Sequence, residues 1–192
     1  SQAAPRIAVG AATLLWIVAG LAIVLPIVIA ESKAQASDEA LRNSNPRLAA
    51  ELARSAYDAL PFSNSDYLYR AARALPRDEQ RATLREAIRV NPTAARYYRM
   101  LADIEKRSAS PGVSALREAF EAALALDPND VGAHLDYAEL LEKLGLKAEA
   151  REQYRVALEK NDRLAPDEPK RLPQNKVDQV KARIESLSAT AR

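Results

Sequence analysis

The chain has no cysteine, one histidine, one methionine, one tryptophan, two phenylalanines and five glycines in 192 residues. Without cysteine there is no disulfide, no thiolate nucleophile and no Cys-ligated zinc. Few glycines leave no Gly-rich phosphate loop, and no serine stands beside a plausible base. Scarce Phe and Gly with abundant Ala, Leu, Arg and Glu disfavour a sheet and favour helices. His134, the one histidine, reads as a packed structural residue. Asp127, Asn129 and Asp130 surround Pro128 without EF-hand spacing and read as a turn and a helix cap. Nothing here assembles a catalytic constellation, so no enzyme, cofactor, metal or small-molecule substrate is expected.

The first thirty residues carry the strongest positive signal. From Ile7 to Ala30 (IAVGAATLLWIVAGLAIVLPIVIA) there is no charged residue. As a helix this run measures roughly 36 Å, enough to cross a hydrocarbon core of about 30 Å. It exceeds the apolar core of a signal peptide and is too unbroken for an ordinary buried helix, so a transmembrane helix is expected. Pro26 should loosen its last turns. Trp16 lies near mid-span, away from the interface tryptophan prefers. Small residues recur, with Ala8 and Ala12 at small-xxx-small spacing. The span is either a plain lipid anchor or a helix that packs on another membrane helix with Trp16 at the contact. Charges flanking it are too balanced to orient it. The working expectation is a single pass in a bacterial inner membrane, the remainder periplasmic, with Ala- and Arg-rich usage pointing to a high-GC bacterium.

The net charge of +2 conceals a division. Residues 47–107 hold 12 Lys/Arg against 8 Asp/Glu, and residues 108–161 hold 6 against 10. The basic half suits anionic headgroups or an acidic partner, although solvated helix faces account for most such patterns. Arg77, Arg81, Arg85 and Arg89 recur every four residues and form a stripe opposite Leu84, Ala87 and Ile88. The anchor and the acidic distal half argue against nucleic acid.

Prolines at Pro61, Pro92 and Pro128 are spaced 31 and 36 residues apart, each after an apolar helical stretch. The clearest unit is Asp127–Glu159, DPNDVGAHLDYAELLEKLGLKAEAREQYRVALE. Pro128 opens it, Asp130 is placed to cap, and Gly145 ends the first helix. Ala138 sits at the helix crossing, and Ala150, Tyr154 and Ala157 form the buried face of the second helix. Earlier units repeat the grammar with Tyr98, Leu101, Ala102, Phe120 and Ala123, and with Tyr67, Ala71, Leu84 and Ala87. Leu116 stands where a small residue is usual. Ala49, Ala53 and Ala56 need a partner helix, which must be Glu31–Asn43. With no breaker after Ala30, the membrane helix should run on into it, up to a stop and cap at Asn43–Pro46.

This pattern resembles the tetratricopeptide repeat family, over roughly Glu31 to Leu187. The resemblance implies an all-α fold: one transmembrane helix continuous with a right-handed α-solenoid of helical pairs, at about 31–61, 62–92, 93–128 and 129–162. A Pro-rich linker follows at 163–175, then a capping helix and tail at 176–192, with Val177, Val180, Ile184 and Leu187 at helical spacing. It also implies that a protein partner binds the concave face, where helical spacing places Arg96, Arg99, Asp103, Leu135, Glu139 and Lys143. Arg96 and Arg99 are the residues to grip a partner carboxylate. The expected function is a membrane-anchored interaction scaffold, an accessory subunit of a membrane complex. Tyr154–Pro173 (YRVALEKNDRLAPDEPKRLP) is also similar to the repeat tails of bacterial O-antigen ligases and polysaccharide polymerases. That likeness implies an alternative, the last span and tail of a multi-spanning enzyme.

Overall fold

A computed structural model of the chain describes the backbone of residues 3–60, 64–108 and 112–189, and the side chains of residues 15–60, 64–108 and 112–188. Pro61, the side chains of Ala8 and Ala12, and residues 109–111 of the expected turn lie outside the described residues. Within them every regular element is an α-helix, as expected from the composition. The chain divides into two compact units, residues 1–92 and 93–192.

In the first unit, α1 (Ala3–Arg42) is one uninterrupted helix with Pro26 inside it. The apolar run and the first helix of the repeats are therefore one element, as the missing breaker after Ala30 required. Helix α1 stops where Ser44 takes a left-handed conformation (φ 57°). Asn45 then caps α2 (Pro46–Ala59), its side chain accepting from the Leu48 amide at 3.3 Å, with Pro46 in the first turn. Helices α3 (Asp66–Ala74) and α4 (Arg77–Val90) complete the unit.

The α1/α2 interface is built almost wholly of alanine. Ala30, Ala34, Ala49, Ala53 and Ala56 are all at most 1% exposed. Side chains this small let the backbones approach until Ser37 Oγ donates to the Ala49 carbonyl at 2.7 Å. Lys33 Nζ donates to Ser55 Oγ at 2.6 Å, which fixes the antiparallel register. Leu68, Leu84 and Ala87 fill the interior of the α3/α4 pair.

The second unit contains α5 (Ala95–Lys106), α6 (Val113–Leu126), α7 (Val131–Lys143), α8 (Lys147–Asp162) and α9 (Gln174–Ala189). Its pairs are α5/α6 and α7/α8, and α9 packs on α8. The α7/α8 pair follows the sequence closely. Asp130 caps α7 by accepting from the Ala133 amide at 2.9 Å. Gly145 turns the chain at φ 76°, a conformation only glycine adopts without strain. Ala138, Ala150 and Ala157 are fully buried and Tyr154 nearly so. Phe120, also fully buried, stacks on Tyr137 with ring centroids 5.5 Å apart.

One register expectation is corrected on α5. Tyr98 is only half-buried, and its neighbour Tyr97 is the fully enclosed ring. The inward face runs through Tyr97, Leu101, Ala102 and Ile104: Ala102 is 0% exposed and Leu101 packs on the core as expected, and Tyr97 takes the place expected of Tyr98. Leu116 is buried at 2% in the place usually given to a small residue.

The Pro-rich segment after α8 is tied down. Asn161 is 1% exposed, and its side-chain oxygen accepts from the Leu172 amide at 2.6 Å. The Arg171 guanidinium donates to the Leu164 carbonyl. Leu164 and Leu172 lie on the core, and Val177, Val180 and Leu187 of α9 are buried. Helix α9 thus covers the apolar surface that α8 would otherwise leave open.

Candidate functional site

The residues expected on the interaction face fall into two groups. The first is an ion-pair network between α5 and α7. Arg99 donates to Asp130 Oδ2 at 2.7 Å and to Asp136 Oδ2 at 2.6 Å. Lys106 reaches Asp136 at 3.3 Å and Glu139 at 3.7 Å. Gly132 makes room for this: a Cβ there would stand 3.1 Å from a terminal nitrogen of Arg99. Both ends of the Arg99 guanidinium are taken by the chain's own carboxylates, so Arg99 is no open grip for a partner's. The Arg96 guanidinium lies over the Tyr97 ring at 5.5 Å, and the Asp103 carbonyl accepts from Arg107 Nε at 3.0 Å.

The second group lines a cleft of about 510 Å³ between α7 and α9. Leu135, Glu139 and Lys143 come from α7, as the spacing predicted for one face. Leu135, Tyr154 and Val180, all buried, make an apolar floor. The opposite wall, with Lys176, Gln179 and Arg183 from α9, was missed by sequence reasoning, which took α9 as a cap alone. Arg183 fastens α9 to α7 through Glu142, donating from Nε at 2.9 Å and from a terminal nitrogen to the other carboxylate oxygen. Tyr154 donates to Glu142 at 3.3 Å.

This pairing decides the charge of the cleft. Glu142 is neutralised by Arg183 and Glu139 is within reach of Lys106. Lys143 and Lys176 have no carboxylate partner among the described residues, so two uncommitted cations flank an apolar floor. Burial, reinforced by Glu142 and Glu139, pushes the Tyr154 phenol up to about 12. Burial and its hydrogen bond to Glu121 push the Tyr137 phenol up as well, and the Glu121 carboxyl is held low by Tyr137 and Arg117.

A raised phenol pKa favours the neutral form in the fold. Its contribution to stability is therefore complete below the unfolded value of about 10 and is lost as pH rises toward the folded value. Urea midpoints should fall between about pH 10 and pH 12 for the parent, and Tyr154→Phe should flatten that fall. An unchanged slope in the variant would show that Tyr154 is not the group titrating.

His134 is 7% exposed, with Nδ1 at 2.7 Å from the Gln153 side-chain oxygen and Nε2 at 3.2 Å from the Pro128 carbonyl. It pins the turn before α7 to α8. Among the described residues no cluster of His, Asp and Glu has metal-binding geometry. In the first unit a second cleft of about 540 Å³ opens beside Arg47, Ala71 and Leu75. Arg77, Arg85 and Arg89 are exposed on α4 and Arg81 half-buried, with Leu84 and Ala87 inward as the stripe predicted. Trp16 is 78% exposed in a run of uncovered Leu, Ile and Val from Leu15 to Ile29. The stretch Leu15–Arg42 has a window of mean hydropathy 2.2 of which 6% is buried, so it is long and apolar enough to cross a membrane.

Residues 119–152, from α6 through α7 into α8, match the tetratricopeptide repeat family. Among solved structures, the chain is similar to a crystal structure of MamA, with TM-score 0.61 at 20% identity over 69% of this chain and 78% of that one. A MamA fragment from Desulfovibrio magneticus RS-1 gives 0.59 at 12% identity, over 83% and 93%. YrrB, described as a repeat protein of this class with an unusual peptide-binding site, gives 0.54 at 17% identity, over 77% and 74%. No curated protein matches the chain by sequence. Among the described residues the fold is thus an all-helical, tetratricopeptide-like solenoid with one long apolar helix at its start.

Proposed function

We propose that this chain is a membrane-anchored repeat scaffold, an accessory subunit that holds a short segment of a partner protein in the α7–α9 cleft. The observation that carries the reading is the pair of lysines, Lys143 and Lys176, on opposite walls of an apolar floor and without a carboxylate partner among the described residues. Such a cleft favours an acidic side chain or terminal carboxylate next to Leu, Ile or Phe. YrrB, similar in fold, is described as having a peptide-binding site, which supports the class of ligand. The exposed apolar half of α1 supports the anchor, in which Trp16 faces lipid or another membrane helix.

The test is selection from a random peptide library by the full chain in lipid nanodiscs. Enriched peptides should place Asp or Glu beside a large apolar residue. Lys143→Glu with Lys176→Glu should weaken them about tenfold, on the order of 1.4 kcal/mol. Enrichment without acidic residues, or binding untouched by the double substitution, rejects the cleft. The rival reading, the tail of a multi-spanning polysaccharide ligase or polymerase, rests on the likeness of Tyr154–Pro173. The intact mass of the native protein separates the two, since the rival requires one far above 21.0 kDa.

A further inference from the structure

We infer that the span-facing end of the first unit is a lipid-headgroup surface, on which Arg85 and Arg89 of α4 bind anionic headgroups. This rests on the reading of α1 as a membrane anchor. The apolar run ends at Ala30, and Ala30 is already 0% exposed. Packing of the unit therefore begins where the apolar surface stops, with no spacer between them. At about 1.5 Å per residue, Glu31 and Lys33 lie within roughly 5 Å of that point, the depth of a headgroup layer.

Both residues are held by other helices. Lys33 meets Ser55 near the end of α2 at 2.6 Å, and Glu31 accepts from the Tyr67 hydroxyl at the start of α3 at 3.1 Å. Helix α3 then leads away from this level, since Arg70 pairs with Asp38 at 2.6 Å, about 10 Å further along α1. Helix α4 returns beside α2. Glu86 pairs at 2.6 Å with Arg54, one residue before Ser55, and α4 continues to Val90, roughly 6 Å nearer the bilayer. Arg85 and Arg89 thus arrive at the level of Glu31 and Lys33.

The other charges at this end are committed. Arg54 is shared by Asp58 and Glu86, Glu31 is bound by Tyr67, and Asp66 sits in the first turn of α3, where the helix dipole favours it. Arg85 and Arg89 are exposed and have no carboxylate partner among the described residues. Arginine forks suit lipid phosphates, and a basic group within a Debye length of an anionic leaflet is attracted to it.

The absence of cysteine allows a clean test with the full chain. Val90→Cys is labelled with an environment-sensitive fluorophore, and the chain is reconstituted in phosphatidylcholine vesicles with or without phosphatidylglycerol. A nitroxide on the lipid headgroup should quench the label about twofold more when phosphatidylglycerol is present. Arg85→Glu with Arg89→Glu should abolish that difference. Equal quenching in both lipids, or a difference that survives charge reversal, overturns the proposal. Trp16, the chain's one tryptophan, reports separately through acyl-chain bromine quenching. If Trp16 is quenched and the α4 label shows no lipid dependence, the headgroup surface fails and the anchor stands. If Trp16 is not quenched, the anchor fails and the headgroup surface with it.

Discussion

Phe120→Ala should destabilise the second unit by about 3–5 kcal/mol, the usual cost of removing a fully enclosed ring. Phe120 has no exposed surface and lies in one cluster with Ala102, Leu116, Val131, Leu135 and Ala138. These residues come from α5, α6 and α7, so the ring joins one helical pair to the next. Its loss removes transferred apolar area and also leaves a cavity that the neighbouring alanines are too small to fill. Tyr137 loses its stacking partner at 5.5 Å while its hydroxyl stays held by Glu121 at 2.8 Å, so it cannot swing in to compensate. Against a typical domain stability of about 5–15 kcal/mol, this substitution consumes a large fraction. Urea unfolding of the full chain in detergent, followed by helical circular dichroism, should show an early transition, and amide exchange should assign it to α5–α8. Phe120→Leu should cost much less. A midpoint for Phe120→Ala within error of the parent would mean that the ring is not the joint between the pairs.

Ala53→Leu should have the second largest effect, through excess volume instead of a void. Ala53 is 0% exposed on α2 within a face made of Ala49, Ala53 and Ala56. The Ser37 to Ala49 hydrogen bond of 2.7 Å shows how close the backbones run. Three more carbons have no space there, so α2 must tilt away from α1, at a typical cost of about 1–3 kcal/mol. The Ser37 hydroxyl, 1% exposed, would also lose its acceptor. The exposed Glu51 on the same helix provides the control: Glu51→Leu adds apolar bulk without entering the interface. A lowered urea midpoint with unchanged slope is expected for Ala53→Leu, with faster exchange over α2. Equal behaviour of the two variants would show that the alanine face tolerates volume.

The comparison of sequence with structure shows where local rules suffice. Gly145, Asp130 and Pro128 mark turns and caps through their own backbone chemistry, so they read directly from the chain. Ala138, Ala150, Tyr154 and Ala157 follow because helical spacing alone aligns them. Tyr97 escaped because adjacent tyrosines offer two registers, and only neighbouring helices choose between them. The candidate site was half legible for the same reason. Leu135, Glu139 and Lys143 share a face of one helix. The pairing of Arg183 with Glu142 spans 41 residues and that of Arg99 with Asp130 spans 31, distances over which spacing says nothing. Those long-range pairs determine which cations remain available, and so the binding chemistry. In α9, Lys176, Gln179 and Arg183 recur at three- and four-residue steps beside the Val177–Leu187 face, the one signal that could have marked a second functional edge.

The continuity of α1 also fixes a rotational phase. Trp16 and Ala34 are eighteen residues apart, five turns of an α-helix, so they point to the same side. Ala34 is 1% exposed on the side of α1 that takes part in packing the repeats, whereas Trp16 is bare. In a bilayer, any second helix that meets Trp16 stands beneath the first unit, on the side of α1 that α2 and α3 pack against. Inserting one residue between Trp16 and Leu25, in the exposed part of the helix, would swing that azimuth by roughly 100° and leave the contacts made from Ala30 onward intact. The phase of a single helix thus links the choice of membrane neighbour to the direction in which the first unit faces.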